Sequence, residues 1–353
     1  MLLTLGEAAP WFTAPTPSNS QFVFDTAGGR YVLMAFLPKD DTAAAAEAVR
    51  ILATHRGDFD DRTLSAFVIV RDPGTAASAQ DMQGLRWVLD LDGDVSRLYG
   101  VLEADGTERP MWLLLDPTLR VIGRMQLPSA QKMFDMIAQL RPPADHAGVP
   151  MHAPVLTAPR IFEPELCQRL IALHQVDGGA FTGVMRDEGP RTVMVMDELK
   201  RRRDVTVEDE ALQALLRDRM ERRLFPLVER GLGFSVTHIE RYVVSCYDAE
   251  DGAVFHPHRD STTQGTAHRR FACSINLNDD FVGGDLRFAE YGPRTYRPPL
   301  GGATVFSCAL LHEAMRVTQG RRYAFLPFFY DDTGAEILEA YRQRVAGLAE
   351  PAA

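Results

Sequence analysis

Apolar and polar positions alternate in two different ways along the chain. Before residue 140 the apolar residues come as short unbroken runs, YVLMAFL at 31–37 and SAFVIV at 65–70, each followed by a stretch of helical spacing. Runs this short, rich in β-branched and aromatic residues, read as strands buried on both faces. MWLLLD at 111–116 and RVIGRM at 120–125, with Pro117 and Thr118 between them, read as a hairpin. Strands alternating with helices predict an α/β domain.

A seam follows at RPPADHAGVPMHAPV, residues 141–155, which holds four prolines and little apolar periodicity and suits a linker. Beyond it the spacing changes. FEPELCQRLIALHQ starts a helix, with Pro164 where a first-turn proline is tolerated. Leu212, Leu215, Leu216, Met220, Leu224, Leu227 and Val228 recur at three- and four-residue intervals, which predicts one helix capped by Gly231. From about Thr237 to Tyr330, short strands separated by Gly-, Asp- and Asn-rich turns predict a β-sandwich or barrel with helices packed on it. The expected division is 1–140, a linker at 141–152, a second domain at 153–335, and a C-terminal helix and tail at 336–353.

The formal net charge of -10 argues against a nucleic-acid partner. The basic run Lys200–Arg203 could bind an anion, but a solvated surface stretch is the expected reading. No basic start precedes an apolar core at MLLTLGEAAPW, and no apolar run approaches the roughly 18 residues a membrane helix needs. The four cysteines, Cys167, Cys246, Cys273 and Cys308, lack CxxC spacing and suggest no disulfide framework. A cytoplasmic protein that meets neither membrane nor nucleic acid is expected.

Candidate chemistry centres on FHPHRDST, residues 255–262. Side chains two apart on a strand share a face, so His258 and Asp260 can address one ion, and His256 has the same parity. His312, at the end of a later apolar strand and 52 residues past Asp260, supplies a second imidazole. Two histidines and a carboxylate form the facial triad of non-haem Fe(II) oxygenases, with three positions left open. A lone His-x-Asp is most often a surface turn. What raises its value is Arg322, ten residues past His312, whose guanidinium can grip a carboxylate through two parallel hydrogen bonds. An α-keto diacid could then chelate iron at one end and present its far carboxylate to that arginine. Arg321 faces the other side of the same strand.

The set His258-x-Asp260, His312 and Gly320-x-Arg322, with ERYVVSCYDAEDGAVFHPHRD and INLNDDFVGGDLRF, resembles the 2-oxoglutarate/Fe(II) dioxygenases of the prolyl 4-hydroxylase type over residues 153–332. The resemblance implies an α+β double-stranded β-helix, or jelly roll, with flanking helices and iron at its open end. It implies Fe(II), 2-oxoglutarate as co-substrate, O2, and ascorbate as a candidate reductant. The implied reaction hydroxylates a protein side chain, peptide or small molecule and releases succinate and CO2. Family spacing selects His258 over His256 as ligand and Arg322 over Arg321 as anchor, and it puts Tyr247 beside the co-substrate. Asn276 stands where such enzymes often carry a tyrosine that hydrogen-bonds the far carboxylate. Thr304 and Ser307 are further candidate helpers, and Gly283 and Gly284 serve a turn. Arg191, Tyr242, Arg287 and Tyr291 are candidate substrate readers.

In the first half, GEAAPWFTAP, FLPKDDTAAAAEA, LDLDGDVSRLYGV and LLLDPTLRVIG resemble the peroxiredoxins of the bacterioferritin-comigratory type over residues 1–140, which implies a thioredoxin-like α/β fold. The family's peroxidatic cysteine position is Ala45 here, and residues 1–140 hold no cysteine. Peroxide reduction of that kind needs a thiolate, so this half is expected to serve packing, homodimer formation or partner docking. Two other functions remain open for the second half, a divalent-metal hydrolase on the same triad and a non-catalytic binding protein.

Overall fold

The computed structural model describes residues 2–347 of the 353-residue chain. Contacts divide it into two compact units, one of residues 1–153 with 288–293 and one of residues 154–287 with 294–353.

The first unit is built on a five-stranded sheet in the order Leu85–Leu89, Leu64–Val70, Tyr31–Phe36, Met111–Leu115, Val121–Gln126. The first three strands are parallel, and the last two form the antiparallel hairpin. Every residue of Tyr31–Phe36 and Leu64–Val70 is buried, which accounts for unbroken apolar runs in place of alternation. On one face the helices Thr42–Thr54 and Ala130–Ile137 pack Ala45, Ala48, Leu52, Met133 and Phe134 against Leu33, Trp112 and Leu114. Phe24, Val95 and Tyr99 cover the other face. The helix Thr42–Thr54 starts on Asp41, whose carboxylate accepts from the Ala44 N–H at 3.0 Å.

The second unit pairs two antiparallel sheets in a jelly-roll-like fold. The larger runs Val155–Ala158, Ala303–Ser307, Phe271–Asn276, Arg321–Phe325, Val243–Asp248, Arg203–Thr206, Ala180–Phe181, with Phe328–Tyr330 bridging Phe271–Asn276 to His238–Glu240. The smaller runs Lys200–Arg201, Val254–His258, His312–Ala314, Leu286–Arg287, Thr295–Tyr296. Helices Pro164–Asp177 and Glu210–Arg223 place Leu170, Leu216 and Met220 in one core with Val244, Ile275, Val305 and Phe325. Only one side of the larger sheet is covered this way, so inward-facing positions on its other side are free to hold polar groups.

Three readings of the sequence need correcting. The predicted helix over 212–228 is two helices, Glu210–Arg223 and Phe225–Leu232, and the cap is Gly233 at φ +65°, not Gly231. Pro226 causes the break, since it lacks an N–H and its ring would strike the preceding turn. Strands between residues 180 and 206, including the hairpin Val184–Glu188/Arg191–Val195, fall where no strand was expected, because their polar residues hide the period-two pattern. Third, Lys200 and Arg202 are buried, at 7% and 4% exposure, so only the alternate members of the basic run face solvent. The C-terminal helix begins at Asp332, four residues before the expected boundary, where Asp331 accepts from the Gly334 N–H at 2.8 Å. The tail expected after residue 347 lies outside the described residues.

Candidate metal centre and anion pocket

Strand register brings the two histidines together. Val254–His258 and His312–Ala314 are antiparallel neighbours in the smaller sheet, and His258 lies directly opposite His312 after an irregularity between Phe255 and His258. Cross-strand partners have Cβ atoms about 5 Å apart, close enough to share an ion. Asp260 follows the end of its strand, where its N–H donates to the Cys308 carbonyl at 2.9 Å. Arg269 donates to the Asp260 carbonyl at 3.4 Å while held bidentately by Glu240.

The imidazoles are oriented for ligation. His258 Nδ1 lies 2.7 Å from the His256 carbonyl, and His312 Nδ1 lies 3.0 Å from the Leu310 carbonyl. A carbonyl can only accept, so each Nδ1 carries the proton and each Nε2 offers its lone pair. Those Nε2 atoms stand 3.5 Å and 3.4 Å from the two oxygens of Asp260. One ligand atom from each of the three residues lies within 4.8 Å of the others, and they are the one such group among the described residues. Burial, then the neighbouring His258, lowers the His312 pKa to about 4, so it is neutral and ready to ligate at pH 7. Burial alone would raise Asp260, but His312 and His258 outweigh it and hold the carboxyl ionised, well below the usual range. His256 is exposed and gives only its carbonyl to this arrangement.

The triad opens into a cavity whose other wall comes from Tyr247, Ser274, Phe328 and Arg322 of the larger sheet and from Arg202 and Arg241, which flank its strands. Arg322 is 2% exposed. Its Nη2 donates to Ser274 Oγ at 2.7 Å and its Nε to Asn276 Oδ1 at 3.1 Å, and its guanidinium faces the Tyr247 ring at 5.3 Å. Both of these hydrogen-bond acceptors are neutral. No carboxylate pairs with Arg322 among the described residues, and burial lowers its pKa. A buried cation without a counter-charge is costly unless something supplies one.

Asn276 does not reach for the cavity itself, since its amide donates to the Pro298 carbonyl at 2.9 Å while its oxygen holds Arg322. It therefore orients the arginine. Thr304, opposite Ser274 in register, is fully buried with an unpartnered hydroxyl, and Ser307 accepts from the Ala309 N–H. Gly283 and Gly284 adopt φ of +79° and +72°, as the turn requires. Arg321 is exposed on the opposite side and pairs with Asp248 at 2.6 Å.

The structure does not gather the expected substrate readers here. Arg191 is exposed on the 184–195 hairpin, Tyr242 packs in the helix-side core, Arg287 pairs with Glu313 at 2.5 Å, and Tyr291 belongs to the first unit. Sequence reading took Arg202 only as part of the basic run, and it missed Asp204. Arg202 donates to the Tyr247 hydroxyl at 3.1 Å and is locked on Asp204 at 2.7 Å. The parity of Lys200, Arg202 and Asp204 was the available signal, and the like charge of their neighbours concealed it.

In the first unit Ala45 sits on the buried side of the Thr42–Thr54 helix, so a methyl group occupies the place the resemblance assigns to a nucleophile. All four cysteines, Cys167, Cys246, Cys273 and Cys308, are buried and free in the second unit.

Comparison with known proteins agrees with these two regions. The model of the 2OG-Fe(II) oxygenase superfamily matches residues 242–330, and that of the AhpC/TSA family matches residues 5–124. The chain joins a redoxin-like half to an oxygenase-like half. Among solved structures, a Pseudomonas putida prolyl-4-hydroxylase is 16% identical over 50% of this chain and 92% of its own, with a TM-score of 0.38. The viral collagen prolyl hydroxylase of Paramecium Bursaria Chlorella virus-1, solved as a 2OG complex, is 13% identical over 50% and 94%, at 0.37. Mycobacterium tuberculosis AhpC is 17% identical over 39% and 95%, at 0.33. No curated relative matches the chain. Among the described residues no helix is long and apolar enough to cross a membrane.

Proposed function

We propose that the second unit is an Fe(II)- and 2-oxoglutarate-dependent dioxygenase that hydroxylates a protein side chain, peptide or small molecule. The observation that carries this reading is the pairing, in one cavity, of three convergent ligand atoms with a buried guanidinium that has no counter-ion among the described residues. The donor set fits iron, since two neutral imidazoles and one carboxylate suit Fe(II) and leave positions open. Bound iron would supply O2 activation, with 2-oxoglutarate consumed to succinate and CO2.

The chain's own residues do the rest. His258, Asp260 and His312 hold the metal, and the His256 and Leu310 carbonyls fix the two imidazole tautomers. Arg322 binds the far carboxylate of 2-oxoglutarate, with Ser274 and Asn276 fixing the plane of its fork and Tyr247 flanking it. Phe255, Phe306 and Leu286 line the cavity and exclude water. A hydrolase on the same triad would leave Arg322 without a purpose. The first unit, lacking a thiol nucleophile, serves packing, homodimer formation or partner docking.

The test is uncoupled turnover. Incubated with Fe(II), 2-oxoglutarate, O2 and ascorbate, the protein releases succinate, and His312→Ala releases none while keeping its fold by circular dichroism. No succinate from the intact chain, when its iron content is stoichiometric, refutes the reading.

A further inference from the structure

The cavity holds a second uncompensated cation. Arg241 lines it, and its guanidinium has no hydrogen bond or ion pair among the described residues. Its Nε is fully buried and unpartnered, and its guanidinium lies over the Phe328 ring at 4.5 Å. The nearby carboxylates are spent. Asp204 accepts from Arg202, Ser245 and Thr182, and Glu240 accepts from Arg269 and His268. Burial, then Arg202 and Arg269, lowers the Arg241 pKa to about 10, so the site gains by receiving negative charge. The backbone at Arg241 is also left-handed, at φ +52°, a conformation a non-glycine residue adopts at a cost.

Position separates this cation from the co-substrate anchor. Arg322 pairs in register with Tyr247 at one end of Val243–Asp248, whereas Arg241 precedes the other end. The extended run 243–247 spans about 13 Å, so a five-carbon diacid chelated at the triad and held by Arg322 leaves Arg241 free. Arg241 and Arg202 also lie outside the matched oxygenase region, 242–330.

Resting on the dioxygenase reading, we infer that Arg241 is a substrate-binding residue that holds a carboxylate on the molecule to be hydroxylated. The substrate class is then an acid, either a small carboxylic acid or an acidic side chain in a polypeptide. A neutral peptide backbone could accept a hydrogen bond but would leave the guanidinium without a counter-charge.

The test uses the full chain loaded with Mn(II) in place of Fe(II) and saturated with N-oxalylglycine to fill the Arg322 site. Carbon-13 acetate is the probe, and its paramagnetic relaxation reports binding near the metal. The wild type relaxes acetate. Arg241→Met weakens that binding roughly ten- to a hundredfold, the loss of a charge-assisted contact, and Arg241→Lys restores part of it. In both variants Mn(II) and N-oxalylglycine bind as in the wild type. Displacement of acetate by an end-blocked pentapeptide with one internal aspartate assigns the carboxylate to a polypeptide, and retention assigns it to a small acid. Equal relaxation in wild type and Arg241→Met, with N-oxalylglycine bound in both, overturns the inference alone. Failure of the wild type to bind Mn(II) or N-oxalylglycine overturns the dioxygenase reading and this inference with it.

Discussion

Replacing Arg322 with methionine separates two effects that usually travel together. Arg322 is 2% exposed and donates to Ser274 and Asn276. Each hydrogen bond from a charged donor contributes roughly 1.5–3 kcal/mol, while burying an unpaired ion costs several kcal/mol. The methionine chain keeps most of the volume and removes the charge. Ser274 can turn its hydroxyl elsewhere, but Asn276 Oδ1 loses its donor, at about 1–3 kcal/mol. Gain and loss nearly cancel, so the variant's unfolding free energy in urea stays within about 2 kcal/mol of the wild type. Co-substrate binding does not cancel. The bidentate contact to the far carboxylate disappears, and the Kd for 2-oxoglutarate rises by at least roughly tenfold, the equivalent of about 1.4 kcal/mol. Arg322→Lys keeps the charge without the fork and falls between the two. Anaerobic titration of the Fe(II)-loaded proteins with 2-oxoglutarate, followed by visible charge-transfer absorption, measures the difference. An unchanged Kd in Arg322→Met refutes the assignment of the anchor, and a loss of stability well beyond about 2 kcal/mol refutes the picture of an uncompensated buried cation.

Three further outcomes are expected. Burial would raise Glu240, but hydrogen bonds from His268 and Arg269 lower it to about 2 from 4.5. This carboxylate therefore contributes stability that is complete above pH 4.5 and is lost as pH falls toward 2, about 3 kcal/mol in all. Denaturation of Glu240→Gln across that range should show a flatter acid limb than the wild type, and an identical limb would show that the depressed pKa is absent. Burial pushes the Cys167 and Cys246 thiols up to about 11 and raises Cys273 and Cys308 as well, so a disulfide reagent at pH 8 should label four thiols only after denaturation. Rapid labelling of the native protein would contradict this burial. Leu216→Ala, in the core on the helix side of the larger sheet, should cost roughly 2–5 kcal/mol in urea unfolding while leaving the Fe(II) affinity of the folded protein unchanged. A parallel loss of iron would mean that the core and the site are not independent.

The short-range features were legible because they depend on residue type and spacing alone. Unbroken apolar runs marked the buried strands Tyr31–Phe36 and Leu64–Val70. The spacings 258–260, 312 and 322 marked residues that the fold does bring to one cavity, since strand parity and a fixed offset along the last strands survive without knowledge of the partner strand. The missing thiol of the first half could be read directly.

Long-range pairing decided the rest. Nothing in the run Lys200–Arg203 shows that Arg202 turns inward onto Tyr247 and Asp204, because that depends on Arg203–Thr206 lying beside Val243–Asp248. Likewise, Arg241 has no local mark, and Asn276 could not be told from a co-substrate ligand until Arg322 and Pro298 were found at its two ends. A sequence fixes which groups can carry charge. Whether that charge is neutralised by a neighbour or left waiting for a ligand is a property of three-dimensional packing, and in this protein that difference separates Arg202, already paired, from Arg241 and Arg322.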